Sequence, residues 1–304
     1  PFQTVEGDKE DEERVIFPAD VPAIGYRVYQ ILHTEDRVTF ETDLKVSENT
    51  IENTYFKVNV TPELNCAVKI LDKRSGRFIF NPSKDGNILE VYEDRPPQAP
   101  DGEPAWNIYL GNRTEPTALE THAVESGPVR AKIKIKRTFG HSDFVQDVVL
   151  YAHTPQIDFE FHIDWHENYR FAKVSFPLSI SSYWATYEIP YGVIQRYDHS
   201  LKEPSHEVME TPQRRWELAD TSKWEVSAQN WVDVSSQCDD YGVSLLNDSK
   251  YGFSFENNTL RMSLIRGPRR GYRFTPESWA DQSDMPRVGI HHVKYAIFPH
   301  PGDW

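Results

Sequence analysis

The residues of this sequence that could act as acid, base or nucleophile stand mainly where predicted strands end. His166 and Glu167 follow a strand that ends near Trp165, and a histidine beside a carboxylate is the pair that a sugar epimerase uses for acid and base catalysis. Glu93 and Asp94 form an acidic pair, and a glycosidase needs two carboxylates that face one sugar ring. Because adjacent strand residues point to opposite faces, Glu93 and Asp94 are not expected to form such a pair. At both places a solvated strand end is the more common arrangement.

Two adjacent histidines, His291 and His292, precede the last predicted strand. Their side chains are expected to diverge, so both cannot bind one metal ion, and no HxxxH or HExxH spacing supplies a further ligand. We expect this pair to form part of a polar rim that borders a sugar pocket. The sequence contains no GxSxG, no P-loop and no GxGxxG, so serine-hydrolase, nucleotide and dinucleotide sites have no support.

Aromatic residues offer a different chemistry, because sugar rings pack their C–H faces against aromatic rings. The chain has eight Trp and fifteen Tyr, and Trp106, Trp184 and Trp279 lie in loop-like stretches. Large aromatics also dominate ordinary core packing. The aromatic content is therefore compatible with a carbohydrate-binding surface but does not establish one.

The net charge of the chain limits the classes of partner that it can bind. The formal net charge is −14, which repels nucleic acid backbones and anionic membrane surfaces. Neutral sugars remain compatible, because they bind through hydrogen bonds and stacking. Cys66 and Cys238 stand outside any CxxC or Cys/His cluster, so we expect two reduced core residues rather than zinc ligands.

The beginning of the chain carries no targeting signal. Pro1 to Thr4 do not open a charged and then apolar leader, so no signal peptide is predicted and a cytoplasmic location is expected. No run of 18 apolar residues predicts a membrane span. The absence of an initiator Met suggests a piece of a longer chain.

The elements that must position these residues are predicted to be strands. Ala131, Ile133 and Ile135 alternate with lysines, which is typical of a strand with one wet face. Similar short alternations recur along the chain, and no helical stripe persists beyond two turns, so a large all-β sandwich is predicted. The segment 243–255 is expected to be a hairpin. A proline-rich loop at 95–100 leads to Trp106.

The first 48 residues have a different pattern. Residues 6–14 are almost all charged, as in a solvated loop. Residues 26–31 alternate as an edge strand would. A polar stretch over 33–53 follows, and we place a domain boundary near residue 48.

Several segments, taken in chain order, resemble glycoside hydrolase family 38, the family of α-mannosidases. Each segment is short, and their common order along nearly the whole chain carries the resemblance. The matching segments are VPAIGYRVY at 21–29, DKRSGR at 72–77, YEDRP at 92–96 with AWNI at 105–108, DWHE at 164–167, YEIPYG at 187–192 with Arg196, YGVSLLNDSKYG at 241–252 and FPHPGDW at 298–304.

This resemblance implies a fold for the chain and places the catalytic residues in another domain of the enzyme. It implies a galactose-mutarotase-like supersandwich over 49–304, preceded by the end of a small β-sandwich or linker over 1–48. The nucleophile and the zinc ligands of the family belong to an N-terminal catalytic domain, so no catalytic residue and no metal ligand are expected in this chain. The implied partners are that catalytic domain and a mannoside or oligosaccharide.

The same resemblance suggests which residues reach the sugar. It points to Trp106, and to Asp281 and His291 in the segment before the last strand. The sequence departs from the family pattern between Arg266 and His292, and Asn107 replaces the usual Asp. Two alternatives remain open: a stand-alone carbohydrate-binding module that uses Trp106, Trp184 or Trp279, and a mutarotase-like epimerase with a His/Glu pair.

Overall fold

The computed structural model describes residues 1–7, 12–32, 38–94, 108, 110–200, 225–267 and 289–304. Within these ranges the regular structure is β-strand apart from one 3-10 turn, Pro62–Leu64. No helix among the described residues is long and apolar enough to cross a membrane. In chain order the strands are β1 (Gln3–Glu6), β2 (Glu13–Ile16), β3 (Lys45–Val46), β4 (Thr50–Glu52), β5 (Phe56–Thr61), β6 (Ala67–Asp72), β7 (Arg77–Phe78), β8 (Ile88–Asp94), β9 (Leu110–Thr114), β10 (Thr117–Ser126), β11 (Arg130–Phe139), β12 (Ser142–Tyr151), β13 (Ile157–Trp165), β14 (Arg170–Pro177), β15 (Trp184–Ile189), β16 (Gly192–Tyr197), β17 (Val226–Ser227), β18 (Trp231–Ser235), β19 (Gly242–Asn247), β20 (Gly252–Glu256), β21 (Thr259–Arg266) and β22 (Gly289–His300).

Two large antiparallel sheets form the sandwich. The nine-stranded sheet has the order β10-β11-β12-β13-β22-β19-β18-β15-β16, and the six-stranded sheet has the order β17-β20-β21-β14-β8-β9. A five-stranded sheet, β3 to β7, joins the same core, whereas β1 and β2 pair only with each other among the described strands. This architecture confirms the predicted all-β supersandwich.

The strands form where apolar residues recur at every second position. In β5 the side chains of Phe56, Val58 and Val60 are fully buried while Lys57 is exposed. Ala131, Ile133 and Ile135 of β11 are likewise fully buried, as the alternation predicts. Burial of each large apolar side chain contributes about 1.5–3 kcal/mol.

The lysine-bearing face of β11 is more buried than its sequence predicted. Lys132 is buried, and its Nζ lies 3.2 Å from a carboxylate oxygen of Asp147 and 3.2 Å from one of Glu160. A buried charge is tolerated when it is paired and hydrogen-bonded. The lysine is therefore held by acidic residues of the adjacent strand β12 and of β13, the strand beyond it.

The core lies between the two large sheets. Phe176 of β14 contacts Tyr295 of β22 with ring centroids 5.8 Å apart, and Tyr295 stacks on Phe159 at 5.0 Å. The tyrosine hydroxyl is satisfied inside the core, because the Gln146 amide donates to it at 2.9 Å and it donates to Asn87. A buried polar group of this kind requires such partners.

Three sequence expectations are wrong in detail. The segment 243–255 is not a hairpin, because β19 pairs with β18 and β22 whereas β20 pairs with β17 and β21, so the turn between them carries the chain from one sheet to the other. Residues 26–31 form no strand, since no described strand pairs with them. Both cysteines are free and Cys66 is buried, but Cys238 is exposed in the turn after β18.

Candidate functional site

The sugar-contact residues expected from the sequence fall on three segments. Trp106 and Asp281 lie outside the described residues. In the sequence, Trp106 lies between the end of β8 and the start of β9. Asp281 lies in the sequence between the end of β21 and the start of β22, the strand that contains His291.

The described residues that flank these segments are called their stems. Backbone hydrogen bonds connect the stems at one end of the sandwich. The Asp94 N–H donates to the carbonyl of Tyr169 at 2.9 Å, and the Tyr169 N–H donates to the carbonyl of Gly267 at 2.9 Å. The Gly267 N–H donates in turn to the carbonyl of Arg170 at 2.9 Å. The end of β8, the start of β14 and the end of β21 therefore form one connected edge.

An ion pair closes the same edge. The Arg266 Nε lies 2.8 Å from one Asp94 carboxylate oxygen and an Nη lies 3.1 Å from the other, and Asp94 is buried. The guanidinium also lies over the ring of Phe171, 5.9 Å from its centroid. A two-point pair of this kind fixes orientation as well as distance. It holds the stems of both segments in a defined relation.

A cavity of about 220 Å³ opens beside Arg266. It is below the roughly 300–1,000 Å³ of typical ligand pockets, so it suits one small group rather than a large ligand. The surface exposed to it is mostly apolar, and the lining residues are Ile108, Phe171, Glu225, Gly252, Ser263, Leu264, Ile265 and Arg266.

A lysine with an unusual environment lies next to this cavity. Lys173 is almost completely buried, and its Nζ donates to the Glu225 carboxylate and, at 2.8 Å, to the Ser254 hydroxyl. The Ser263 hydroxyl donates to the other oxygen of Glu225 at 2.7 Å. Burial, followed by the positive charge of Arg261, lowers the pKa of Lys173 to about 7.

Glu90 is the centre of a second group on the same sheet face. Its buried carboxylate accepts hydrogen bonds from the Tyr92 hydroxyl at 2.8 Å, from Arg113 at 2.7 Å and from Arg261 at 3.0 Å. Burial and the neighbouring Glu90 charge raise the pKa of Tyr92 to about 12, so the hydroxyl stays protonated and donates. We use the name polar layer for these side chains together: Glu90, Tyr92, Lys173, Glu225, Ser254, Arg261 and Ser263.

The polar layer was missed from the sequence. Lys173 stands in a mostly apolar stretch, Phe171 to Pro177, and a charge in such a run indicates a buried pair. Its partner Glu225 is 52 residues away, so the pair itself has no local signal. Chemically, the layer presents fixed donors and acceptors rather than a nucleophile with an adjacent free base.

His291 lies on the other sheet. It stands opposite Ile163 and on the same side of β22 as the buried Val293, whereas His292 faces His162 with ring centroids 4.8 Å apart. The two histidines point to opposite faces, as their adjacency predicts. The structure places His291 near the start of β22 and the polar layer on the six-stranded sheet.

The epimerase pair does not converge. The His166 Nε2 lies 2.8 Å from an Asp164 oxygen. The Glu167 carboxylate accepts the His141 N–H at 2.7 Å and the Ser142 hydroxyl at 3.3 Å. Glu167 therefore holds the turn between β11 and β12, while His166 pairs with its own strand, and Trp165 packs in the core as expected.

In the part of the chain that the structure describes, no group of three or more His, Cys, Asp or Glu residues is close enough to hold a metal ion. The described side chains therefore do not fit a zinc site.

Comparison with known proteins gives the family. The model of the glycosyl hydrolases family 38 C-terminal domain matches residues 51–271. The mouse protein α-mannosidase 2C1 is 32% identical over 270 residues, which cover 87% of this chain and 22% of that protein. The α-mannosidase of Saccharomyces cerevisiae is 31% identical over 251 residues, which cover 77% of this chain and 20% of that protein. The chain thus spans about a fifth of the length of these relatives.

A solved structure shares the fold. The α-mannosidase from Enterococcus faecalis V583 superposes with a TM-score of 0.63 at 20% identity, over 86% of this chain and 30% of that one. At this identity the match shows the fold, and the family model over 51–271 adds the membership. The chain belongs to glycoside hydrolase family 38 and corresponds to the C-terminal domain of that family.

Proposed function

We propose that this chain acts as the C-terminal β-sandwich part of a longer α-mannosidase that hydrolyses terminal α-mannosides. The observation that carries the proposal is the match of residues 51–271 to the C-terminal domain of family 38. Its relatives are named α-mannosidases and are about five times longer than the matched region. On this proposal the nucleophile and zinc lie in the preceding part of the enzyme, and the isolated chain does not hydrolyse mannosides.

The proposed role of this part is to complete the wall of the sugar pocket and to pack against the catalytic domain. The stems of the segments that carry Trp106 and Asp281 are clamped at one edge by the Asp94–Arg266 pair, which supports this role. Residues that contact a substrate are positioned by such rigid scaffolding.

An assay of aryl α-mannoside hydrolysis with added zinc tests the proposal. We expect activity when the chain is combined with the preceding region of its enzyme and a large loss when this chain is omitted. Equal activity of the preceding region with and without this chain would reject the pocket-completing role.

A variant sharpens the test. In the longer enzyme, Arg266→Ala is expected to lower kcat/KM on the order of 10²-fold, because misplacing a pocket wall costs about that much. Arg77→Ala, which removes the exposed ion pair with Asp239, is the matched control and is expected to leave kcat/KM unchanged. Equal kcat/KM values for the two variants would show that the edge at Arg266 does not position the sugar pocket.

The alternative function, a carbohydrate-binding module, has one observation in its favour. Trp184, which the sequence singled out for such a role, lies in β15 and belongs to a group of partly exposed aromatic rings. This function would be favoured if the chain alone binds mannose but contributes nothing to hydrolysis in the longer enzyme.

A further inference from the structure

The hairpin of β15 and β16 forms one edge of the nine-stranded sheet and carries aromatic side chains. Trp184 and Tyr197 are cross-strand partners whose rings meet edge to face, with centroids 6.1 Å apart. The ring of Tyr183 lies 6.4 Å from that of Trp184. Tyr183 and Tyr197 are 59% and 67% exposed, and Trp184 is half-buried. We use the name aromatic platform for these three residues.

Fixed polar residues hold the platform on both sides. The Ser182 N–H donates to the Asn258 side chain at 3.0 Å, and the Ser182 hydroxyl donates to the carbonyl of Trp184 at 2.8 Å. On the other strand, the buried Asp198 donates its N–H to the carbonyl of Tyr183 at 2.8 Å and accepts the Asn258 N–H at 2.9 Å. The backbone that carries the rings is thus fixed before a ligand arrives, which reduces the ordering cost of binding.

Among the described residues, the buried Asp198 carboxylate beside the rings is occupied by hydrogen bonds from the N–H groups of Ser200, Asn257 and Asn258. Gln195 lies on the same side of β16 as Tyr197, and its amide donates to the Thr186 hydroxyl at 3.4 Å. Arg196 points to the other side, where its guanidinium lies 4.9 Å from the centroid of Tyr187. Aromatic faces with an amide and phenol hydroxyls match a neutral ligand that has both C–H faces and hydroxyl groups.

We propose that the aromatic platform binds a neutral oligosaccharide, and that in the longer enzyme it holds a mannose-containing glycan. The choice of mannose rests on the proposed function, whereas the choice of a neutral sugar rests on the exposed rings and on the Gln195 amide on the same side of β16 as Tyr197. A second copy of the chain is the weaker occupant, because two chains that each carry a net charge of −14 repel each other. The platform lies on a different sheet from the cavity beside Arg266.

Titration of the full chain with a linear α-mannotriose tests this proposal. Calorimetry should show binding that Tyr197→Ala weakens at least tenfold, and Trp184→Phe should weaken it by a smaller factor. Tyr251→Ala is the matched control, since it removes another exposed tyrosine from the turn between β19 and β20, and should bind as the parent does. Thermal melting of each variant checks that the fold is kept.

A nuclear magnetic resonance titration locates the sugar. The Trp184 indole N–H signal, assigned by its loss in Trp184→Phe, should shift on addition of the sugar. Absence of binding, equal binding by Tyr197→Ala, or shifts confined to other indoles would overturn the proposal. So would a dimer that Tyr197→Ala disrupts, because it would assign the platform to a second copy.

These outcomes are separate from those of the hydrolysis assay. Binding is measured on this chain alone, whereas the proposed function is measured on the chain combined with the rest of the enzyme. Hydrolysis without sugar binding by the chain would reject only the platform, and binding without a role in hydrolysis would reject only the proposed function.

Discussion

The segment of residues 17–32 and the sandwich use the same residue types in different ways. Ile24 and Val28 are 109% and 81% exposed, and Tyr26 is also exposed. Val58 and Ile133, in the sandwich, are fully buried. Both regions alternate apolar and polar residues, but only strands such as β5 and β11 have described neighbours on both sides. Alternation therefore predicts an extended chain, and burial depends on partner strands.

This comparison explains where stability resides. A side chain that contacts the core loses many close contacts when it is truncated, whereas an exposed one loses few. The free energy of unfolding should therefore respond strongly to changes between the sheets and weakly to changes in 17–32. The following predictions run from the largest expected effect to the smallest.

Phe176→Ala should give the largest loss. Phe176 is fully buried between the sheets against Phe80 and Tyr295. Truncation of a buried phenylalanine costs about 3–5 kcal/mol, which urea denaturation followed by tryptophan fluorescence measures. A loss below about 1 kcal/mol would mean that the two sheets do not pack as described.

Lys173→Met tests the buried pair in the polar layer. It leaves the Glu225 carboxylate buried without its lysine, which costs about 3–5 kcal/mol of unfolding free energy. The double variant Lys173→Met with Glu225→Leu should recover much of this loss, because two apolar side chains replace the whole pair. Additive losses in the double variant would show that the two residues do not interact.

His300→Gln should produce a smaller effect that depends on pH. The hydrogen bond to the buried Asp233, 2.8 Å away, raises the pKa of His300 above its ordinary value, and the carbonyl of Pro301 lies 3.2 Å from its other ring nitrogen. Because the folded protein binds this proton more tightly than the unfolded chain, the stabilisation is complete below about pH 6.5 and is lost as the pH rises through the folded pKa.

Urea denaturation at several pH values measures this effect. At about pH 6 the parent should exceed His300→Gln by about 1.5–3 kcal/mol, the range for a hydrogen bond to a charged group. The difference should shrink at higher pH. A difference that is constant with pH would show that His300 acts only through packing.

Val28→Ser should have the smallest effect in this chain. The side chain is 81% exposed, so the expected change in unfolding free energy is within about 0.5 kcal/mol. Urea denaturation measures this change. A loss above about 1 kcal/mol would show that the Val28 side chain is packed rather than exposed.

Much of the fold was predictable because period-two alternation is a local property. The buried sides of β5 and β11 follow directly from the sequence. The turn after Asn247 was misread as a hairpin because local turn residues do not reveal that β19 and β20 pair with strands distant in the chain. Cys238 was misplaced because residue type alone does not show that position 238 lies in an exposed turn.

The candidate site was predictable only in outline. The resemblance pointed to the segments before β9 and β22, and the structure ties their stems at one edge. The Lys173–Glu225 and Asp94–Arg266 pairs escaped prediction because each joins residues far apart in sequence. Trp106 and Asp281 stay predictions, and the division of the chain near residue 48 stays one as well.

The most direct test of the account is the turnover of an aryl α-mannoside by this chain alone, in the presence of zinc. The account predicts no hydrolysis above the uncatalysed rate by the isolated chain, and hydrolysis once the preceding region of the enzyme is supplied. Turnover by the pure chain would contradict the central claim, and the carboxylates at Glu93, Glu167 and Asp281 would then be the first to substitute.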